Sequence, residues 1–165
     1  MRDARAYWDR HAANYDRSML LLGRPIARMR GLVARDTRDA DRVLEVAAGT
    51  GLVTSAIAGA ARQVVATDFS PAMVQRLESR MRKEGRSNVR CEQADLFALR
   101  YEPGTFDCVV AANVLHLVPD LPSALAGLQR MLKPGGRLIA PTFCHDETRI
   151  SQWMSRLLAL TSLDR

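Results

Sequence analysis

Val43-Leu44-Glu45-Val46-Ala47-Ala48-Gly49-Thr50-Gly51 is an apolar, β-branched run with one acid inside it, stopped by a turn of small residues. It passes directly into Leu52-Val53-Thr54-Ser55-Ala56-Ile57-Ala58, whose composition suits a helix. A strand that turns on glycines into a helix leaves helix amides without intrahelical partners, so the unit is a candidate cradle for a nucleotide-type ligand. A turn this poor in glycine suits several cofactors, and the rest of the chain decides among them.

Downstream the same alternation repeats. Gln63-Val64-Val65-Ala66-Thr67-Asp68 is a second strand ending in an acid, and Ser70-Pro71 opens a helix running to about Glu84. Ser supplies the capping oxygen, and Pro needs no amide partner in the first turn. Met73, Val74, Leu77 and Met81 form the inward face of that helix, and Gly85 ends it. Asn88 to Gln93 is a third strand, followed by the loop Ala94-Asp95-Leu96-Phe97. Phe106 to Asn113 is apolar on both faces, as a central parallel strand requires. A helix then enters at Leu121-Pro122-Ser123 and runs through Leu125, Leu128 and Met131; Lys133-Pro134-Gly135-Gly136 closes it before a strand from Arg137 to Phe143, in which Pro141 marks an interruption or an edge. An amphipathic helix from about Glu147 uses Ile150, Trp153, Met154, Leu157 and Leu158.

Upstream, Tyr7 to Asp16 is an aromatic and polar segment that reads as a lid, and Pro25 opens a helix with Ile26, Met29, Leu32 and Val33 at helical spacing. The expected architecture is α/β: a doubly wound, mostly parallel, Rossmann-like sheet of about five strands with flanking helices and right-handed crossovers. The expected organisation is one domain, with a lid and helix over 1–40, a cofactor-binding core over 41–143 and a C-terminal helix over 144–165.

Composition narrows the classes. The chain has 165 residues, 47% of them hydrophobic, and no apolar run of membrane-spanning length. No secretory signal is visible at the N-terminus, and Cys91, Cys108 and Cys144 form no CxxC pair, so they read as reduced thiols of a cytoplasmic protein. No metal site is expected. The net charge of +6 is carried almost wholly by arginines scattered among acids, a compositional habit rather than a nucleic-acid surface.

Glu45 with Ala47-Ala48-Gly49-Thr50-Gly51, Asp68, Ala94-Asp95-Leu96, Phe106-Asp107-Cys108-Val109-Val110 and Leu132-Lys133-Pro134-Gly135-Gly136-Arg137-Leu138, in that order, resemble the class I S-adenosylmethionine-dependent methyltransferases. The likeness spans roughly residues 40 to 143 and lies in the series rather than in any one motif. The family turn is acid-x-Gly-x-Gly-x-Gly; here Ala47 stands at the first glycine, which is tolerable if its φ is negative. A dinucleotide site is the competitor, but its Gly-x-Gly-x-x-Gly would need a glycine where Thr54 stands.

The resemblance implies S-adenosylmethionine as cofactor and a set of roles. Asp68 accepts from the ribose diol or is a solvated helix cap, Gly49 and Gly51 admit the methionine and ribose portions or form a plain strand-to-helix turn, and Glu45 holds the loop amides, reaches the amino end or is purely structural. Asp95 meets the adenine amine, with Leu96 at the ring, or is a loop-capping acid, and Phe69 packs on the adenine or in the core. Asn113 presents polar groups at the reactive end, and Tyr15 closes over the methionine part or packs as an ordinary helix residue. His116 is the candidate base, with a surface or packing role as the alternative.

An Asn-Pro-Pro-Tyr motif is absent, since Ala112-Asn113-Val114-Leu115-His116 occupies its place, which points to a small-molecule or lipid-like acceptor of quinone or phospholipid type. A cofactor-binding regulatory module without turnover is the alternative. The family sheet continues with an antiparallel pair for which no residues remain. The fifth strand would then expose an apolar edge, and the expectation is that the chain is truncated or naturally shortened, or that a second copy or a partner covers that edge.

Overall fold

The computed structural model describes residues 2–12, 15–16 and 23–142. Phe143, Cys144 and the helix expected from about Glu147 lie outside the described residues. The elements in order are α1 (Arg2–His11), α2 (Gly23–Asp36), β1 (Arg42–Glu45), α3 (Thr54–Ala58), β2 (Gln63–Asp68), α4 (Pro71–Lys83), β3 (Val89–Gln93), β4 (Phe106–Val110), α5 (Leu121–Met131) and β5 (Leu132–Ile139). A 3₁₀ turn, Leu115–Leu117, lies between β4 and α5.

The five strands form one sheet in the order β3-β2-β1-β4-β5, every pair parallel. Side chains alternate across it. Val43, Val64, Ala66, Cys108 and Val110 face a core completed by Met29 and Val33 of α2, Ile57 of α3, and Leu77 and Met81 of α4. Leu44, Val46 and Val109 face the other core, filled by Leu128 and Met131 of α5. Helices after β1 and β2 therefore cover one face and α5 the other, the doubly wound arrangement. Strand order reverses between β1 and β4, and the crevice beyond their carboxyl ends is where such folds bind ligands.

Several elements correct the sequence expectations. α3 begins at Thr54 rather than Leu52, because Gly49, Thr50 and Gly51 need two further residues to complete their turn. β4 ends at Val110, and the backbone then turns through Asn113 at φ +53°. Leu32 and Leu125 are exposed rather than inward, 38% and 37%, since Met29 and Val33, and Leu128 and Met131, already fill the stripes facing the sheet.

The Pro134-Gly135-Gly136 stretch does not separate helix from strand. β5 starts at Leu132, pairing with Phe106, and resumes at Arg137 opposite Cys108, so the residues between bulge out of the ladder. Gly135 takes φ +76°, and a Cβ on Gly136 would sit 2.9 Å from the Lys133 carbonyl oxygen. Proline survives there because a bulge asks no ladder hydrogen bond of it. The expected helix cap at Ser70 stands: its φ is −84°, its hydroxyl accepts from Met73 N, and Pro71 opens the helix. No described helix is long and apolar enough to cross a membrane.

Candidate active site

The turn after β1 lies at the switch point, and three residues in it carry left-handed backbone: Ala47 at φ +52°, Gly49 at +57° and Gly51 at +88°. The positive φ of Ala47 overturns the expectation that alanine is admitted there by a negative one. An L-residue pays roughly 1–2 kcal/mol for this conformation, and the surrounding hydrogen bonds hold it. Ala48 N donates to Thr67 O at 2.9 Å and Gly51 N to Ala48 O at 3.0 Å.

The two glycines serve different ends. A Cβ at Gly51 would lie 2.6 Å from Leu77 Cδ1 and 3.3 Å from Arg80 Cδ, so its bareness lets α4 pack onto the turn. At Gly49 the nearest atom is Tyr15 Cε1, 3.8 Å away, and the space above it belongs to the N-terminal segment.

Two acids organise this turn. Asp68, at the end of β2 and 6% exposed, accepts from Gly49 N at 2.8 Å through one carboxyl oxygen and from Ser70 N at 2.9 Å through the other. The Gly49 amide is thus held by Asp68, so of the readings offered for Glu45, holding that amide is the one the structure removes. Glu45 is 1% exposed at the end of β1 and accepts from Thr54 Oγ1 at 2.6 Å, which ties β1 to the first residue of α3. Burial pushes the Glu45 carboxyl up to about 8; the Thr54 hydroxyl works against that shift and the neighbouring Asp68 adds to it. Burial likewise raises the Asp68 carboxyl, opposed by the amides of Ser70, Gly49 and Phe69.

A narrow cavity of about 30 Å³ opens beside the turn, lined by Tyr15, Glu45, Ala47, Leu52, Ala112 and Asn113 among others. Burial also raises the Tyr15 hydroxyl, with Asp68 and Asp16 adding to it. The N-terminal segment is clasped over this place by polar contacts. Asp16 accepts from Thr50 Oγ1 and from Arg80 Nη2, each at 2.5 Å, and Asp9 of α1 accepts from Ser70 Oγ at 2.5 Å. Trp8 packs edge-on to Tyr15, ring centroids 6.0 Å apart.

Among the residues expected from sequence, Tyr15, Glu45, Ala47 and Asn113 meet at this cavity, and Gly49 is joined to Asp68. The neighbouring strand ends carry the next group: Ala94 N donates to Asp68 O at 3.0 Å, and Gln93 Nε2 to Phe69 O at 3.2 Å. Asp95 is half-buried and accepts from Phe97 N at 3.0 Å, while Leu96 packs against the second core. His116 is exposed on the 3₁₀ turn and does not line the cavity.

Sequence reasoning missed the clasp of Asp9, Asp16, Thr50, Ser70 and Arg80. Its partners are up to 64 residues apart, and only the contrast of acids within an aromatic segment hinted at it.

A family model for the methyltransferase domain matches residues 43–136. The chain belongs to that family. It is 40% identical over 110 residues to the ubiquinone/menaquinone biosynthesis C-methyltransferase UbiE of Teredinibacter turnerae, a match covering 64% of this chain and 44% of that protein. It is 35% identical over 147 residues to the demethylmenaquinone methyltransferase of Thermobifida fusca, covering 87% of this chain and 62% of that one. The chain thus spans roughly half the length of these relatives. Among solved structures, the DhpI–SAH complex superposes with a TM-score of 0.70 at 28% identity, covering 82% of this chain and 66% of that one. In this methyltransferase domain the matched stretch runs from β1 to the bulge of β5, so it contains the left-handed turn, both acids and the end of β4.

Proposed function

We propose that this domain binds S-adenosylmethionine across the carboxyl ends of β1, β4 and β2 and transfers its methyl group to a small-molecule or lipid-like acceptor of quinone type. The observation that carries the proposal is the pairing of a left-handed Ala47–Gly51 turn with the buried Asp68, beside a cavity lined by Glu45 and Asn113. The names of the two curated relatives support the acceptor class.

The residues present fit the cofactor. A carboxylate has about four acceptor positions, so Asp68 keeps lone pairs for a ribose diol after accepting from Gly49 and Ser70. Glu45 offers a carboxyl to a cationic amino end, and Asp95 and Leu96 stand past the neighbouring strand for the base. When bound, the cofactor supplies an electrophilic methyl on a sulfonium, a chemistry in which positioning accounts for much of the rate. The chain's task is then to orient and to exclude water. Tyr15 and Asp16 do so as a strap beside the turn, with Tyr15 lining the cavity. His116, on the turn that follows Asn113, is the residue proposed to take a proton from the acceptor.

A second copy or a partner is proposed to cover the outer edge of β5, whose Leu138 is 37% exposed. The free thiols of Cys91 and Cys108 accord with a reducing, cytoplasmic setting.

Calorimetric titration with S-adenosylmethionine tests the first half of the proposal: saturable binding is expected, and its absence at millimolar cofactor rejects it. Release of S-adenosylhomocysteine with reduced naphthoquinones, beside phospholipid and fatty-acid acceptors, tests the second. On this account His116→Ala lowers kcat and leaves cofactor affinity unchanged.

A further inference from the structure

A second, larger cavity lies beside the C-terminal half of α3, away from the cofactor turn. Its volume is about 590 Å³, and Arg30, Arg38, Asp39, Ser55, Gly59 and Arg86 are among its lining residues. That is room for a small metabolite, since ligand pockets run from about 300 to 1,000 Å³. Three arginines from separate segments, α2, the connector before β1 and the loop after α4, line it together with one carboxylate residue, Asp39.

The Nε atoms of Arg30 and Arg86 are buried and have no hydrogen-bond acceptor. Arg86 Nε is ion-paired with one Glu84 carboxyl oxygen at 3.7 Å, and the other Glu84 oxygen accepts from Ser55 Oγ at 3.0 Å. Arg86 is also not required to cap α3. Asn88 Nδ2 already donates to the carbonyls of Ala58 at 3.0 Å and Ala61 at 3.1 Å. At the cavity floor, a Cβ on Gly59 would stand 3.8 Å from Arg86 Nη1.

A guanidinium presents its donors as a planar fork matched to two oxygens of a carboxylate or phosphate, and such charge-assisted pairs are stronger than neutral ones. Arg30 and Arg86 each hold a buried Nε–H with no hydrogen-bond acceptor beside the exposed Arg38, and an anionic oxygen in the cavity would supply one. We propose that this cavity is a second ligand site, for a free phosphate ester or pyrophosphate, held by Arg30, Arg38 and Arg86. It is independent of the methyl-transfer proposal, because the turn, Asp68 and Tyr15 take no part in it.

The test is calorimetric titration of the whole chain with inorganic pyrophosphate and with adenosine monophosphate at low salt, with circular dichroism and a urea melt as controls on folding. One-site saturable binding is expected, weakened about tenfold or more by Arg86→Gln and by Arg38→Gln. Arg38 is exposed, so its replacement leaves the core intact. Asp39→Asn should tighten binding by removing the opposing charge. The proposal is overturned if no saturable heat appears up to about 5 mM, if both arginine variants bind as the parent does, or if the chain is captured by phosphatidate-containing vesicles while the soluble phosphates fail to bind.

Discussion

The two ends of the sheet treat their acids in opposite ways. At the amino end, Asp107 of β4 accepts from Lys133 Nζ at 2.6 Å and from Arg42 N at 2.8 Å, joining the starts of β4, β5 and β1. The Lys133 ammonium holds its carboxyl below the usual range. At the carboxyl end, Glu45 and Asp68 meet only neutral donors, hydroxyl and amide, and burial drives both carboxyls upward. An acid with a cation beside it works as a latch. Acids buried without one carry a desolvation cost that a cationic ligand offsets, and they stand where the backbone is also left-handed.

The largest break in that comparison is expected from Gly51→Ala. A Cβ 2.6 Å from Leu77 Cδ1 makes the Leu77, Arg80 and Met81 side chains repack, and φ +88° strains any L-residue there. A loss of about 2–4 kcal/mol in urea-denaturation stability is expected, with loss of cofactor binding. A variant as stable as the parent would show that the close packing is not required.

Asp68→Ala comes next. It strands the amides of Gly49 and Ser70, at about 1–3 kcal/mol, and removes the proposed ribose acceptor. Denaturation and cofactor titration should both report it, and unchanged affinity would refute the ribose role.

Glu45 is read through pH. Its folded carboxyl titrates near 8 against an ordinary value of 4.5, so between these values the unfolded chain releases a proton that the folded chain keeps. Stability should therefore fall as pH rises across that window, by at most about 1.4 kcal/mol per pH unit. Glu45→Gln should flatten this slope in denaturation curves collected from pH 5 to about 8.5; an unchanged slope would place the titration elsewhere.

The smallest effect belongs to the latch. Lys133 and Asp107 are 39% and 30% exposed, so solvent screens the pair, and Lys133→Met should cost less than about 1 kcal/mol with cofactor affinity unchanged. A fall in affinity would mean that the two ends are coupled.

Much of the framework was legible before any coordinates. β2 and α4 lie where hydrophobic spacing and the Ser70-Pro71 start put them, because a buried strand and a capped helix are local patterns. The bulge at Pro134-Gly135-Gly136 was read as a helix closure, since a local reading sees proline and glycine as breakers and cannot see Phe106 and Cys108 pairing on either side of them. Asp68 is legible as a strand-end acid, Glu45 as the one acid within an apolar strand and Gly49 as a turn residue, all local patterns. Their mutual bonds are not: the loop amide went to Asp68, and Glu45 took Thr54 instead.

The sequence by itself determined the alternation of elements, the parallel sheet and the family, because hydrophobic period, caps and the order of short motifs are written along the chain. Only the tertiary structure decided why Gly51 must be bare, that Ala47 is left-handed, that Asp9 and Asp16 clasp the turn, and that Arg30, Arg38 and Arg86 share a cavity. Each of those depends on what a distant segment places within a few ångströms, and packing across the sheet, not order along the chain, sets that distance.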